Sequence, residues 1–116
     1  MNDSTAAVAL IERQLVAYNA RDLDGFIACY SPDIKVLRMP TQEAAITGRE
    51  ALSEFYRTQR FNLDGLHADI VNRISMGNKV IDHEMVSGLT PDKAVELVAV
   101  YEVYDGLIKT VWFYYP

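Results

Sequence analysis

The stretch AVELVAVYEVYDGLIKTVWFYY, residues 94–115, decides the fold class. Two runs of alternating aliphatic and aromatic residues flank Asp105-Gly106, a dipeptide that favours a two-residue hairpin turn. An uninterrupted register from this turn places Glu102 opposite Lys109, so that opposite charges meet across the strands. The stretch therefore predicts two antiparallel strands joined by a tight turn.

This register gives the hairpin two apolar faces. We expect one face, which carries Ala99, Tyr101 and Trp112, to cover the interior of the domain. A sheet with helices on one side needs only one apolar face. The other face should therefore pack against a second copy of the chain and form a homodimer. Its apolar residues are Val98, Val100, Val111 and Phe113.

A second hairpin follows from the turn Gly77-Asn78. Its register pairs Arg73 with Asp82, again joining opposite charges, and Asn72 with His83. Asn72 and His83 then lie on an otherwise apolar face, whose aliphatic and thioether residues are Ile70, Ile74, Ile81 and Met85.

Helical periodicity dominates the first half of the chain and strand periodicity the second. The pattern predicts helices at 4–20, 23–30 and 48–59, which Ser4, Asp22 and Thr47 would cap. It also predicts a strand at 33–39 and a loop at 40–46. The remaining strands are predicted at 66–75, 79–88, 94–104 and 107–115. Helices followed by strands are typical of an α+β domain with an antiparallel sheet, and we expect one domain spanning residues 1–116.

The composition excludes several classes of partner. The 116 residues carry a formal net charge of −5, which argues against nucleic acid and anionic membranes. A polar N-terminus, no apolar run of about 20 residues and a single cysteine, Cys29, favour a cytoplasmic protein. The two histidines are widely spaced, and no glycine-rich phosphate loop is recognisable, so we expect neither a metal nor a cofactor.

Several short motifs resemble one superfamily. The first half resembles the nuclear transport factor 2-like proteins, which include SnoaL-like polyketide cyclases, ketosteroid isomerases and limonene epoxide hydrolases, at YNARDLDG (18–25), YSPD (30–33) and GREAL (48–52). The second half is similar to a SnoaL-like bacterial subgroup of mostly unassigned role, at VIDHE (80–84), YEVYDG (101–106) and VWF (111–113). The resemblance implies a cone-shaped domain whose curved sheet and helices enclose a pocket.

The chemistry of ketosteroid isomerases does not carry over residue by residue. Their catalytic tyrosine position holds Gln14, and their base position falls at Arg38 or Met39. Their second acid falls near Ala99 or Val100. Arginine does not accept a proton at any working pH, so isomerisation by that mechanism is not expected. No Asp–Arg–Asp arrangement of an epoxide hydrolase is recognisable.

The first catalytic candidates are His83 and Asn72. An imidazole beside an amide that fixes its tautomer would serve as a general acid and base facing the pocket, although the same pair would also fill a core. Asp82 and Glu84 are the second candidates, as an acid and base pair or as surface charge. A register shift of one residue would turn these two carboxylates into the pocket and His83 outward.

We expect six further residues to bind a ligand, unless they form ordinary aromatic core: Gln14, Tyr18, Tyr30, Tyr56, Tyr101 and Trp112. The function predicted from the sequence is binding of a small apolar organic molecule. If the molecule is turned over, the chemistry would be cofactor-free isomerisation, cyclisation or hydrolysis. The alternative is a non-catalytic dimerisation or protein-interaction domain.

Overall fold

The structure, a computed structural model, describes residues 3–116 and confirms the α+β class. Three helices, α1 (Asp3–Ala20), α2 (Leu23–Ile27) and α3 (Arg49–Gln59), cover one face of a six-stranded sheet. The strands are β1 (Tyr30–Arg38), β2 (Glu43–Thr47), β3 (His67–Met76), β4 (Lys79–Ser87), β5 (Val95–Tyr104) and β6 (Leu107–Tyr114). Within residues 3–116, no helix is long and apolar enough to cross a membrane.

The sheet is curved and mixed rather than wholly antiparallel. Its strand order is β2-β1-β6-β5-β4-β3, and β1 and β6 run parallel. Parallel neighbours need a long crossover, which α3 and the strands from β3 to β5 provide here. The segment predicted as a loop contains the edge strand β2. The prediction missed this strand because its mostly exposed residues give no alternation of buried and exposed positions.

One of the three predicted helix caps is confirmed. The Asp22 side chain accepts a hydrogen bond from the Gly25 amide at the start of α2. Ser4 lies inside α1 and donates to the Gly77 carbonyl at 3.1 Å. Thr47 belongs to β2, where it pairs with Lys35, so Gly48 takes the cap position of α3 without a side-chain hydrogen bond.

A β-bulge changes the predicted register of the β5–β6 hairpin. The two pairs next to the turn are as predicted. Beyond them the register shifts, so Glu102 pairs with Thr110 and not with Lys109, and Ala99 pairs with Phe113. The shift lets Ile108 and Val111, three positions apart, both point into the core, where they are 0% and 1% exposed. A regular strand would instead have buried Thr110 and Trp112.

The predicted outer face is therefore wrong at two positions. Val111 is buried, and Phe113 turns towards the interior. Trp112 takes the opposite side, paired with Val100. Val98 and Val100 keep the half-buried outer position that the sequence predicted.

A second bulge lies in the β3–β4 hairpin. Arg73 pairs with Asp82 and Asn72 with His83, as predicted, but the register then shifts at Val71. The inward face of β4 consists of the buried residues Val80, Asp82, Glu84 and Val86. The opposite face holds Ile81, His83 and Met85, so the face predicted to line the interior is the outer one.

Candidate active site

A cavity of about 190 Å³ lies between the inner face of the sheet and the helices. An apolar cavity of about 150 Å³ holds benzene, so this somewhat larger space suits a molecule with one ring or two small fused rings. Five of the six predicted ligand-binding residues line the cavity, namely Gln14, Tyr18, Tyr30, Tyr56 and Tyr101. Trp112 does not, because the β6 bulge turns it to the outer face.

The helical side of the cavity is a cluster of packed aromatic rings. The Phe26 and Tyr56 ring centroids are 4.6 Å apart, and the Tyr18 ring meets Tyr56 edge-on at 6.3 Å. Burial raises the pKa of Tyr18 and Tyr56 well above the usual value for a phenol. Both hydroxyls are therefore neutral at pH 7 and can donate hydrogen bonds, but they do not act as bases.

On the sheet side, Asp82 is held by a two-point ion pair. Arg73 on β3 donates from Nε to one Asp82 oxygen at 2.6 Å and from Nη2 to the other at 3.0 Å. Its third nitrogen, Nη1, contacts Glu12 of α1 at 2.6 Å. The Asp82 side chain is 2% exposed, so a cationic partner of good geometry is needed to compensate its charge.

Glu84, one pleat further along β4, has no such partner. It is 7% exposed, and burial, followed by the negative charge of Asp82, raises its pKa to about 7. The Tyr101 hydroxyl donates to Glu84 Oε2 at 3.3 Å, and this hydrogen bond and the charge of Arg73 oppose the rise. Glu84 therefore exchanges a proton near neutral pH, which suits general acid and base catalysis.

The strand pairing explains why the two carboxylates differ. Asp82 lies opposite Arg73, on the side of the β3 bulge that is nearer the turn. Beyond the bulge, Glu84 pairs with Ile70 on one side and Leu97 on the other, both aliphatic. Two carboxylates on one strand thus have different environments, one beside a cationic partner and one between aliphatic neighbours.

The first catalytic candidates lie outside the cavity. His83 is half-exposed, and its Nε2 lies 2.7 Å from Glu96 Oε2 on the outer face. Asn72 is exposed, and its side-chain oxygen accepts from the Arg73 amide. Their predicted placement facing the pocket is wrong. The strand β4 carries apolar residues on both faces, so its sequence pattern did not show which face turns inward. Asn72 and His83 pair with each other as predicted, but the alternative that the sequence left open, with Asp82 and Glu84 turned inward and His83 outward, is the one observed.

Two further expectations concern an epoxide hydrolase-like group of charged residues and a metal site. A carboxylate–guanidinium–carboxylate arrangement does exist, made of Asp82, Arg73 and Glu12, although no Asp–Arg–Asp arrangement was recognisable in the sequence. Its third member is half exposed, at 53%, and does not line the cavity. Among residues 3–116, no group of three or more histidine, cysteine or acidic side chains is placed to hold a metal ion.

Glu84→Gln should remove a pH dependence from the stability of the protein. The carboxyl has an ordinary pKa of 4.5 and a folded-state pKa of about 7, so between these values the folded state holds the extra proton. Stability must then fall as the pH rises through this window. From pH 5 to pH 8 the wild type should lose about 2.5 kcal/mol more unfolding free energy than the variant.

Urea unfolding at the two pH values measures this difference. Glu54→Gln, at a 65% exposed position of α3, is the matched control and should follow the wild type. Equal pH dependence in the wild type and Glu84→Gln would contradict the raised pKa.

Comparisons with known proteins agree on fold and family. The family model for the SnoaL-like domain matches residues 11–111. A proposed ketosteroid isomerase from Kribbella flavida DSM 17836 superimposes with a TM-score of 0.85 at 24% identity, covering 100% of this chain and 82% of that one. An LEH-like epoxide hydrolase of M. tuberculosis gives a TM-score of 0.81 at 21% identity, with coverages of 97% and 84%.

A third similar structure is a proposed polyketide cyclase from Sinorhizobium meliloti, with a TM-score of 0.76 at 19% identity and coverages of 90% and 93%. No curated protein matches the chain. At these identities the structural neighbours establish the fold and not the reaction. The family match spans most of the sequence and includes both carboxylates of the cavity. The chain therefore belongs to the SnoaL-like domain family.

Proposed function

We propose that the cavity binds a small, largely apolar organic molecule and that Glu84 exchanges a proton with it. The observation that carries this proposal is a carboxyl group of raised pKa, buried in a cavity lined mainly by aliphatic and aromatic side chains. A group that is about half ionised at pH 7 can both accept and donate a proton within one turnover. The reaction class is cofactor-free isomerisation, cyclisation or hydrolysis.

In such a reaction Glu84 takes a proton from a carbon or from water and later returns it. The Tyr101 hydroxyl already donates to Glu84 and stabilises its carboxylate form. Tyr18 and Tyr56 supply neutral hydroxyls that can donate to an oxygen on which negative charge develops. Arg73 does not line the cavity, so its role is to position and compensate Asp82.

The names of the structural neighbours support an organic substrate, since they include an isomerase, a cyclase and an epoxide hydrolase. The proposed base differs in position from the base expected for ketosteroid isomerases, which falls at Arg38 or Met39. Glu84 lies on a different strand, β4. We therefore propose proton-transfer chemistry without assigning steroid isomerisation.

The base can be tested with a probe that needs only a positioned carboxylate, 5-nitrobenzisoxazole. The base removes the proton on the ring carbon next to nitrogen, the nitrogen–oxygen bond breaks, and a coloured nitrile phenolate forms. The wild type should catalyse this elimination, with a rate that rises with pH to a midpoint of about 7, because the ionised form of Glu84 is the base.

Glu84→Gln should lower the protein-catalysed rate about 100-fold or more, whereas Glu54→Gln should retain it. Absorbance of the phenolate follows the reaction, and circular dichroism confirms that each variant is folded. A rate in Glu84→Gln equal to that of the wild type would refute Glu84 as the base.

The outer face of the sheet supports a second role, assembly into a homodimer. Its apolar residues, as the structure places them, are Ile81, Met85, Val98, Val100 and Trp112, all half-buried. The corrected face replaces Val111 and Phe113 by Trp112. Covering this surface with a second copy would remove apolar area from water. A non-catalytic interaction domain would use the same face for a different protein.

Light scattering distinguishes these assemblies. The wild type should have twice the 13.1 kDa chain mass at micromolar concentration. Val100→Glu should give the monomer, because a charge in the centre of the face opposes its burial. Val16→Glu, at a 65% exposed position on α1, is the control and should leave the dimer intact. A monomeric wild type would contradict the homodimer and leave the face for a foreign partner.

A further inference from the structure

Two arginines lie where the cavity opens to solvent. Arg38 ends β1 and is exposed, and Arg60 follows α3 and is half-buried. Both line the cavity, together with Tyr115, which is 45% exposed. Among residues 3–116, no carboxylate forms an ion pair with either guanidinium. The cavity thus has a cationic rim whose charge the described part of the protein does not neutralise by direct contact.

Aromatic rings orient both guanidinium groups. Arg38 Cζ lies 6.0 Å from the Tyr115 ring centroid, and Arg60 Cζ lies 4.8 Å from that of Phe55. Arg60 Nη1 also donates to the Gln59 carbonyl at 2.7 Å. A guanidinium held over a ring loses less conformational freedom when it binds an anion, and it keeps donor nitrogens at its edge.

The two ends of the cavity have different electrostatic character. The positive charge of Arg60 lowers the pKa of Tyr18 and Tyr56 against the larger effect of burial, so its field reaches their hydroxyls. The charges that shift the pKa of Glu84 are those of Asp82 and Arg73, and neither rim arginine is among them. The charge of Arg60 therefore acts on the tyrosines of the cavity, and the charges that act on Glu84 lie on β3 and β4.

The charges around the cavity do not cancel. Arg73 compensates Asp82, and protonated Glu84 is neutral, so the positive charges of Arg38 and Arg60 remain. The chain as a whole has a net charge of −5, so the rim is a local region of positive charge on an acidic protein. An anionic group on the ligand would be attracted to the rim.

We propose that the ligand is a small organic acid, with its carboxylate bound by Arg38 and Arg60 at the rim and its apolar body directed inward to Glu84. Guanidinium groups bind carboxylates through paired N–H···O hydrogen bonds, which favours a carboxylate over an anion that cannot form such a pair. A volume of about 190 Å³ limits the apolar body to one ring, two small fused rings or a short unsaturated chain. This inference rests on the proposed function of the cavity and specifies its substrate class.

Benzoate and benzamide form a matched pair of probes, because they have nearly the same shape and differ in charge. Isothermal titration calorimetry at pH 6 and low salt keeps Glu84 mainly protonated and limits screening. The wild type should bind benzoate at least about tenfold more tightly than benzamide. Amide chemical-shift changes confined to cavity residues confirm where each probe binds.

Arg38→Gln with Arg60→Gln should abolish the preference for benzoate and leave benzamide affinity within about twofold of the wild type. Arg57→Gln, at an exposed position of α3 paired with Glu54, removes a positive charge away from the cavity and should retain the preference. Circular dichroism checks the fold of each variant.

The outcomes separate the two levels of the proposal. Two results would overturn the organic-acid inference alone. One is that benzamide binds in the cavity and benzoate binds no more tightly, and the other is that the preference for benzoate survives in the double variant. Absence of binding by both probes would overturn it together with the proposed function.

Discussion

The ion pair between Arg73 and Asp82 is the interaction on which the rest of the site depends. Its two contacts, at 2.6 and 3.0 Å, compensate a carboxylate that is almost completely buried. Without it, Asp82 and Glu84 would be two uncompensated carboxylates one pleat apart in a low-dielectric interior, where like charges disfavour each other's ionisation. With it, Asp82 has its counter-ion, and Glu84 remains as the group that gains and loses a proton.

A buried ion pair is poor evidence for stability, because desolvation of both charges offsets most of their attraction. The cavity likewise adds nothing to stability, because side chains that would bury apolar surface do not fill its volume of about 190 Å³. A chain selected for stability alone would fill that space with aliphatic side chains. An ion pair beside a cavity lined by hydroxyls and a carboxyl is better explained by ligand chemistry.

The sequence was sufficient for the fold class, the order of the helices and the later strands, both hairpin turns and the Arg73–Asp82 pairing. It was insufficient for the face of β4 that turns inward, because that strand has valines at 80 and 86 on one face and Ile81 and Met85 on the other. The bulges at Val71 and in β6 also escaped prediction. The bulge in β6 lets Ile108 and Val111, three positions apart, both be buried, which strict alternation does not encode.

The wrong face of β4 and the bulge in β6 account for the misplaced site residues. His83 and Asn72 pair as predicted but lie on the outer face, and Trp112 lies outside the cavity because the register of β6 shifts. Of the five predicted ligand-binding residues that line the cavity, Gln14, Tyr18 and Tyr56 lie on helices, and Tyr30 and Tyr101 lie on strands. The paired carboxylates were visible in the sequence as Val80-x-Asp82-x-Glu84-x-Val86, an alternation whose aliphatic ends mark the buried face.

The most direct test of the central claim is the pKa of Glu84 in the ligand-free protein. Carbon-13 labelling of the glutamate side chains and NMR titration of their carboxyl resonances give this value, with Glu84→Gln assigning the signal. The structure predicts a midpoint at about pH 7, produced by burial and by the neighbouring charge of Asp82. A midpoint near 4.5, the ordinary value for glutamate, would contradict the assignment of Glu84 as the proton-exchanging group.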